Sequence, residues 1–228
     1  MINLLITGGC GFIGSNFINW IFHNKNYNII NFDAMYYCAS EENVNEEIRL
    51  SERYKLIKGN LCNKDLVNEV INNYNITYVI HFAAQSHVQN SFEDSLQFTH
   101  DNVLGTHTLL EVCRKYSKIE RFIHVSTDEV YGESMLDLDE QHKTEHSVLC
   151  PSNPYAATKA GAELIAQSYY HSFKMPIIIT RGNNVYGPNQ YPEKLIPKFI
   201  KLLNEIKEVT IQGDGSCLRA FLHSSDTS

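Results

Sequence analysis

The chain has 228 residues, 43% of them hydrophobic, and a formal net charge of −7 at pH 7. It is long enough to bury a sizeable core, and its acidic balance argues against nucleic acid as a partner, because phosphate backbones are bound by basic faces. The sequence has no apolar run of the roughly 20 residues that a membrane helix needs. It has no leader-like N-terminus and no C-x-x-C or H-E-x-x-H metal spacing. We expect a soluble, cytoplasmic protein without a bound metal ion.

The predicted elements alternate along the chain between short apolar strands and amphipathic helices. In chain order they are the strand 1–7, the helix 12–22, the strands 28–33 and 54–58, the helix 64–74, the strand 78–83, the helix 96–116, the strand 121–127, the helix 155–173, the strand 176–180 and the helix 194–204. This alternation is typical of βαβ units. It predicts an α/β fold with a doubly wound parallel sheet of Rossmann type and helices on both faces.

A glycine-rich loop, TGGCGFIG, connects the first predicted strand to the first predicted helix. Gly9, Gly11 and Gly14 satisfy G-x-G-x-x-G, and Gly8, Gly11 and Gly14 satisfy G-x-x-G-x-x-G. Such glycines allow a tight turn and a close approach of the backbone to a pyrophosphate, which the helix N-terminus binds. Asp33 ends the next predicted strand, where a carboxylate accepts ribose hydroxyls and repels a 2′-phosphate. This context predicts NAD rather than NADP, and it disfavours the alternative of a glycine-rich turn with a surface aspartate.

Two motifs later in the chain carry groups suited to proton transfer. In YAATK, Tyr155 and Lys159 are four residues apart and share one face of the predicted helix. An ammonium near a phenol favours the phenolate, so we expect the pKa of Tyr155 to be lowered. In STDEVYG, Thr127, Asp128 and Glu129 follow one another at the end of a predicted strand. Two neighbouring carboxyl groups divide acid and base roles when one keeps its proton; the structural alternative is a solvated strand end or a helix cap.

The whole chain resembles the extended short-chain dehydrogenase/reductase superfamily and, within it, the nucleotide-sugar 4,6-dehydratases. The resemblance is carried by TGGCGFIG, HFAAQSHV, STDEVYG, YAATK and RGNNVYGPNQYPEKLIPKFI. It implies an NAD-binding Rossmann domain at residues 1–180 that carries the catalytic residues, and the start of a smaller substrate-binding domain at 181–228. It also implies a nucleotide-diphosphate sugar as substrate and a homodimer formed through the helices 96–116 and 155–173. Relatives continue well beyond the position of Ser228, so we expect the substrate domain to be incomplete.

The resemblance assigns a role to each reactive side chain. Tyr155, supported by Lys159 and assisted by Thr127, takes the proton of the sugar 4-hydroxyl while a hydride passes from C4 to NAD. The resulting ketone acidifies the C5–H bond, from which Glu129 removes the proton. Asp128 then protonates the departing 6-hydroxyl, and the hydride returns to C6. The net reaction is loss of water.

The resemblance also implies two sets of binding residues. The cofactor set is Gly8, Gly11, Phe12, Ile13, Gly14, Asp33, Asn60, Leu61, Ala83, Tyr155 and Lys159. The substrate set is Ser86, His87, Thr127, Asn183, Lys194 and Arg219. Asn60 departs from the aspartate that relatives often carry near adenine, although an amide still forms hydrogen bonds there.

Some alternatives remain open at the level of sequence. The last motif looks more like the UDP-glucose enzymes of eukaryotic rhamnose synthesis than the bacterial dTDP-glucose enzymes, so we expect UDP-glucose first and dTDP-glucose next. A 4-epimerase or decarboxylase on the same scaffold is a second hypothesis, against which Asp128 and Glu129 count. A catalytically silent NAD-binding module is a third. Such modules tend to lose the tyrosine or the lysine, and Tyr155 and Lys159 are both present.

Overall fold

A parallel sheet lies at the centre of the protein. The computed structural model describes residues 1–132, 143–210 and 219–228. Within them the large sheet has the strand order β3-β2-β1-β4-β5-β6, and every neighbouring pair is parallel. The strands are β1 Asn3–Thr7, β2 Asn28–Asp33, β3 Tyr54–Lys58, β4 Tyr78–His81, β5 Arg121–Thr127 and β6 Ile177–Gly182. The predicted doubly wound α/β fold is confirmed.

Helices connect the strands and cover the sheet. They are α1 Phe12–Asn24, α2 Glu46–Arg49, α3 Lys64–Asn73, α4 Val88–Glu93, α5 Ser95–Phe98, α6 Gly105–Tyr116, α7 Pro154–Phe173, α8 Leu195–Asn204 and α9 Ser224–Thr227. Single 3₁₀ turns cover Glu41–Asn43 and Asp128–Tyr131. Within the three described ranges, no helix has both the length and the apolar character that crossing a bilayer requires.

The core consists of two apolar layers, one on each face of the sheet. Because successive side chains of a strand point to opposite faces, β1 contributes to both layers. Leu5 packs in the layer that contains Val70 of α3 and Leu109 of α6. Leu4 and Ile6 pack in the layer that contains residues of α1 such as Ile18. This division explains why the inner strands β1 and β2 are buried along almost their whole length, whereas the edge strands β3 and β6 have exposed residues.

The two halves of the sheet diverge between β1 and β4. The chain runs outward from β1 through β2 to β3, then returns to β4 beside β1 and continues to β5 and β6. The loops after β1 and β4 therefore leave the carboxyl edge in opposite directions, and open α/β sheets bind ligands in the crevice between such loops. Gly8 has φ +74°, and a Cβ there would lie 2.7 Å from the Cα of Ala83. Glycine is what permits this close approach.

Most predicted bounds agree with the structure, and the differences have physical causes. The predicted strand 78–83 ends early, at His81, because the N–H of Ala83 donates to the side chain of Thr7 rather than to a neighbouring strand. The predicted helix 96–116 is helical throughout, but Thr99–Leu104 is a π-helical segment between α5 and α6.

The C-terminal part adds elements that we did not predict. Two short strands, β7 Asn184–Tyr186 and β8 Phe221–His223, pair in parallel as a separate sheet. The strand β6 reaches Gly182, two residues beyond the predicted domain boundary at 180. The division into domains at 1–180 and 181–228 stays a prediction, and residues 211–218 of the second lie outside the described residues.

Candidate active site

The glycine loop joins the end of β1 to the start of α1. The N-cap residue of α1 is Gly11, and the first turn consists of Phe12, Ile13 and Gly14, so no side chain there accepts a hydrogen bond from the first N–H groups. These N–H groups are free to bind an anion, which the positive end of the helix dipole also attracts. The loop therefore fits the pyrophosphate of a dinucleotide.

Substitution of Gly14 tests whether the loop needs its close packing. A Cβ at Gly14 would overlap the carbonyl oxygen of Gly8 and lie 2.9 Å from the Cα of Gly9. Both are backbone atoms, so the loop itself must move. We expect Gly14→Ala to lower the free energy of unfolding by about 1–3 kcal/mol and to weaken NAD binding. The control is Gly161→Ala in α7, whose Cβ would meet Val103 at an ordinary 3.7 Å. Urea unfolding and NAD titration measure the stability and the NAD affinity of both variants. Equal effects of the two substitutions would contradict the packing argument.

Asp33 closes the cofactor end of the site. Its Oδ2 accepts a 2.8 Å hydrogen bond from the N–H of Cys10, and its Oδ1 accepts one of 2.8 Å from the N–H of Met35. Burial raises the pKa of Asp33, and these two N–H donors oppose that effect. Each carboxylate oxygen has a second lone pair. Asp33 therefore anchors the glycine loop and still retains acceptors for ribose hydroxyls.

One continuous cleft collects most of the predicted site residues at the carboxyl edge of the sheet. Every residue of the predicted cofactor set lines it: Gly8, Gly11, Phe12, Ile13, Gly14, Asp33, Asn60, Leu61, Ala83, Tyr155 and Lys159. From the predicted substrate set, Ser86 and Lys194 line it as well. The cleft thus runs from the glycine loop to the helix that carries the tyrosine, as a dinucleotide with a substrate beside it requires.

Tyr155 is buried at the start of α7, with 9% of its surface exposed. Burial raises the pKa of the Tyr155 hydroxyl, and the negative charges of Glu129 and Asp128 raise it further. A hydrogen bond with Thr127 opposes these effects. This direction is opposite to the one that we expected from the YAATK motif. The i,i+4 spacing correctly puts Lys159 on the same helix face, but it does not reveal the surrounding carboxylates, which favour the neutral phenol.

Lys159 has partners that the sequence motif does not reveal. Its Nζ donates a 2.7 Å hydrogen bond to the carbonyl oxygen of Val125 in β5. Burial lowers the pKa of Lys159 to about 8, and Glu163, one turn further along α7, opposes the lowering. Glu163 is fully buried and forms an ion pair with Arg181, whose Nη1 also donates to the hydroxyl of Tyr131 at 2.5 Å. The spacing of four residues between Lys159 and Glu163 was a signal for this second carboxylate.

The three consecutive polar residues Thr127, Asp128 and Glu129 lie where β5 ends and a 3₁₀ turn begins. Thr127 is its N-cap, and its Oγ1 accepts from the N–H of Glu129 at 3.3 Å and donates to Oδ1 of Asp128 at 3.2 Å. Thr127 is thus the cap of the turn, and Asp128 and Glu129, for which a helix cap was the structural alternative, lie in its first turn. Both carboxylates nevertheless act electrostatically on Tyr155, and Glu129 also acts on the pKa of Lys194. Both acids are half-buried next to the cleft, outside its lining, and Glu129 accepts a 3.2 Å hydrogen bond from Nδ2 of Asn153.

Side-chain contacts of Tyr37, Tyr191, Glu193 and Lys194, here called the bridge, join loops at the cleft. The hydroxyl of Tyr37, in the loop after β2, donates to Oε1 of Glu193 at 2.9 Å, and its ring meets that of Tyr191 edge-on at 5.3 Å. Nearby, Nζ of Lys194 donates to the carbonyl oxygen of Ser86 at 3.0 Å. These contacts connect the loops after β2 and β4 to the segment before α8.

Besides Thr127, three predicted substrate residues lie outside the lining of the cleft. His87 pairs its Nδ1 with Oδ1 of Asn90 at 2.7 Å and lies 3.9 Å from Glu193. Asn183 and Arg219 are exposed, Asn183 between β6 and β7 and Arg219 just before β8. The structure does not bring these three together with Ser86 and Lys194, and their roles stay predictions.

Asp101, which sequence reasoning missed, organises the far end of the cleft. It lies in the π-helical segment and lines the cleft. Side-chain donors that surround it lower the pKa of its carboxyl group against the effect of burial. Its amide donors, at 2.9 to 3.2 Å, are Asn60, Gln85 and Gln97. Because both amide protons of Asn60 go to Tyr36 and Asp101, this carboxylate fixes the orientation of Asn60.

Among the described residues, one cluster has the side chains of a metal site. Ligand atoms of Cys62, His100 and Asp101 lie within 4.8 Å of one another. Burial and the charge of Asp101 raise the pKa of the Cys62 thiol, whereas a metal requires the thiolate. His100 already pairs with Asp101 at 3.0 Å. The cluster is thus satisfied by its own hydrogen bonds.

Comparison with known proteins shows similarity over the whole chain. Residues 5–228 match a family model described as GDP-mannose 4,6 dehydratase. The chain is 49% identical over 225 residues to a trifunctional UDP-glucose 4,6-dehydratase/UDP-4-keto-6-deoxy-D-glucose 3,5-epimerase/UDP-4-keto-L-rhamnose-reductase of Arabidopsis thaliana, covering 98% of this chain and 33% of that protein. It is 47% identical over 231 residues to a dTDP-D-glucose 4,6-dehydratase of Dictyostelium discoideum, covering 98% and 53%. The chain thus spans from a third to about half of the length of these two relatives.

The fold is similar to that of a crystal structure with a bound cofactor. This is the dTDP-glucose 4,6-dehydratase of Bacillus anthracis in complex with NAD, which is 40% identical with a TM-score of 0.90. The match covers 100% of this chain and 69% of that one. The similarity therefore includes both the sheet and the loops that form the cleft.

Proposed function

The chain belongs to the GDP-mannose 4,6-dehydratase family, and from this premise we propose that it is part of an NAD-dependent nucleotide-sugar 4,6-dehydratase. This hydro-lyase converts UDP-glucose to the 4-keto-6-deoxy sugar nucleotide in deoxysugar or rhamnose synthesis. The observation that carries the proposal is a cleft that fits a dinucleotide and has Tyr155 and Lys159 in its lining. Glu129, in the turn after β5, accepts a 3.2 Å hydrogen bond from Asn153, the N-cap of the helix that carries both residues. The identity of 49% to the UDP-glucose enzyme supports UDP-glucose, and dTDP-glucose is the next candidate.

NAD fits the cleft by the character of its lining. The free N–H groups of the first turn of α1 hold the pyrophosphate, Asp33 accepts the hydroxyls of a ribose, and Asn60 and Leu61 border the adenine. When bound, NAD accepts a hydride from C4 of the sugar and later returns it to C6. The negative charge of Asp33 excludes a 2′-phosphate, which favours NAD over NADP.

The chain's own residues supply the proton transfers. Tyr155 takes the proton of the 4-hydroxyl as the phenolate. Lys159, on the same face of α7, is the cation that favours this form against the burial and the carboxylates that raise the pKa of Tyr155. The 4-ketone makes the C5–H bond acidic, and Glu129 accepts that proton. Asp128 gives its proton to the 6-hydroxyl, which leaves as water, and Glu129 finally returns a proton to C5. The product differs from the substrate by one water. Tyr155 then holds the proton of the 4-hydroxyl and Asp128 has lost one, and proton exchange with the solvent returns both residues to their starting states.

The substrate phosphates require cations or N–H donors. Lys194 lines the cleft, and burial lowers its pKa, with Glu193 and Glu129 opposing the effect. We assign Lys194 and Ser86 to the diphosphate. His87, Asn183 and Arg219 belong to the same proposal as contacts to the rest of the sugar nucleotide.

A 4-epimerase uses the same tyrosine and cofactor but needs no acid pair, so the product distinguishes the two reactions. The protein, preloaded with NAD, is incubated with UDP-glucose and, in parallel, with dTDP-glucose, and products are analysed by mass spectrometry. A product lighter by one water from either substrate supports the dehydratase and names the nucleotide. An isomer of unchanged mass would indicate an epimerase, and no product with NAD retained would contradict both.

The protonation of Lys159 predicts opposite pH effects on turnover and stability. Its pKa is lowered to about 8 in the folded protein from 10.5. Above about pH 8 the ammonium is lost, and with it the stabilisation of the phenolate, so turnover should fall. Between about pH 8 and 10.5 the unfolded chain binds more protons than the folded one, so the contribution of Lys159 to stability rises with pH. A pH series of turnover and of urea unfolding checks both. A Lys159→Arg variant that showed the same alkaline fall would contradict the assignment.

Assembly and location complete the proposal. Large apolar side chains on the helices that we expect at a dimer interface are exposed: Leu96 is 80%, Leu104 48% and Leu164 55% exposed. We propose that a second copy covers them in a homodimer, and sedimentation of the protein as a monomer would contradict this. The domain division at 180 and a cytoplasmic location are further parts of the proposal.

A further inference from the structure

Asn153 connects two parts of the site through a single side chain. It is the N-cap of α7, where its Oδ1 accepts from the N–H of Ala156 at 2.8 Å. Its Nδ2 donates to Oε2 of Glu129 at 3.2 Å. The helix that begins at this cap carries Tyr155 and Lys159. The side chain of Asn153 thus joins the helix that carries Tyr155, the proposed base for the 4-hydroxyl, to Glu129, the proposed base for C5.

Glu129 otherwise has little to fix its direction. It stands in a short 3₁₀ turn, Asp128–Tyr131, whose N-cap is Thr127. Its side chain is half-buried, so a free carboxylate would sample several rotamers. Hydrogen bonds from a fixed donor select one of them, and a charged acceptor makes such a bond stronger than a neutral one. Asn153 is itself fixed by its cap bond, and therefore provides a rigid donor.

We infer that Asn153 is a positioning residue that holds Glu129 toward the sugar C5 and keeps it in register with Tyr155. The inference deepens the proposed function and rests on it. The amide donates to one carboxylate oxygen, Oε2, and leaves Oε1 to accept the C5 proton. It also sets the distance between the two bases, because the cap bond and the carboxylate bond start from the same side chain.

Two substitutions separate the donor from the cap. Serine and aspartate are N-cap residues as good as asparagine, so Asn153→Ser and Asn153→Asp both keep the start of α7. Asn153→Ser removes the donor to Glu129. Asn153→Asp replaces the donor by a second carboxylate, and two adjacent carboxylates tend to share a proton. The matched control is Asn63→Ser, since Asn63 caps α3 in the same way through the N–H of Leu66.

Single-turnover kinetics with the NAD-loaded protein and UDP-glucose give the first readout. We expect Asn153→Ser to keep the rate of C4 oxidation and the KM within about twofold of the wild-type values. Water loss should slow by about 10- to 100-fold, because a hydrogen bond to a charged group usually contributes that much. Reduced cofactor should then accumulate transiently. Asn153→Asp should slow water loss more than Asn153→Ser does, and its rate of water loss should recover partly at higher pH. Equal slowing of oxidation and water loss would indicate a structural role and overturn the inference.

A second readout does not depend on turnover. In ¹⁵N-labelled protein without substrate, the side-chain amide signals of Asn153 are identified by their disappearance in Asn153→Ser. Glu129→Ala should shift one of these two protons upfield, because its charged acceptor is gone. Unchanged signals would overturn the inference whatever the kinetics show. If wild-type protein forms no dehydrated product while the Asn153 signals respond to Glu129→Ala, the proposed function fails but the contact stands.

Discussion

Tyr155→Phe should abolish turnover of the sugar nucleotide and leave NAD binding intact. The substitution removes one oxygen atom and keeps the ring, which packs edge-on against Phe98 at 6.5 Å between centroids. Without the hydroxyl no group at this position accepts the 4-hydroxyl proton, and loss of a general base costs about 10²–10⁴-fold. Rates of C4 oxidation, followed by formation of reduced cofactor, measure the effect. A fall in water loss with normal C4 oxidation would remove Tyr155 from the first step.

Tyr169→Phe in the same helix is the matched control for this experiment. Tyr169 is also buried, at 6% exposed, and its hydroxyl donates to Glu111 at 2.9 Å, away from the cleft. Loss of this hydrogen bond should lower the free energy of unfolding by about 1 kcal/mol and leave turnover unchanged. If Tyr155→Phe and Tyr169→Phe reduced turnover equally, the effect would come from α7 rather than from the hydroxyl of Tyr155.

The cofactor has to remain in place throughout such a reaction, because the hydride taken from C4 returns to C6 of the same sugar. The bridge of Tyr37, Tyr191, Glu193 and Lys194 over the cleft suits this requirement. It ties the loop after β2 to the segment that carries Lys194, which we propose to bind the substrate diphosphate.

The sheet could be predicted from sequence because each strand is a short apolar segment between helical patterns, and the inner strands β1 and β2 are buried on both faces. An apolar run bounded by polar residues or glycine has only one interpretation when helical patterns flank it, and the bounds of β2, β3 and β5 agree residue for residue with the prediction. The short strands β7 and β8 have three residues each, too few to show a period. The π-helical segment Thr99–Leu104 was missed because a period of 3.6 residues does not reveal a local change to wider turns.

The site was predictable where one local segment carries the chemistry. The glycine loop and the consecutive acids each lie within a few residues of sequence, and the structure brings the whole predicted cofactor set to one cleft. Contacts between distant segments were not predictable in this way. Asn153 with Glu129, Arg181 with Glu163 and Asp101 with Asn60 join residues that are 18 to 41 positions apart. The raised pKa of Tyr155 follows from such contacts, and so the motif alone indicated the wrong direction.

Glu129→Gln separates the two halves of the proposed reaction. Glutamine keeps the size of the side chain and a carbonyl acceptor for Asn153, but it does not accept the C5 proton. We expect C4 oxidation to proceed within about twofold of the wild-type rate and water loss to fall about 10²–10⁴-fold, as for loss of a general base. Reduced cofactor should therefore accumulate on the protein, where its absorbance and fluorescence report it. Mass spectrometry of the released sugar nucleotide should find little dehydrated product.

Two further variants make this result specific. Glu193→Gln alters another carboxylate at the cleft, but its amide oxygen still accepts from the hydroxyl of Tyr37. The bridge is therefore kept, and water loss should be normal. Asp128→Asn keeps the C5 base but removes the acid, so deuterium from the solvent should enter C5 while the 6-hydroxyl remains. That exchange should be absent in Glu129→Gln. Normal dehydration by Glu129→Gln would eliminate it as the base, and deuterium exchange in Glu129→Gln would assign the base to another group of the cleft.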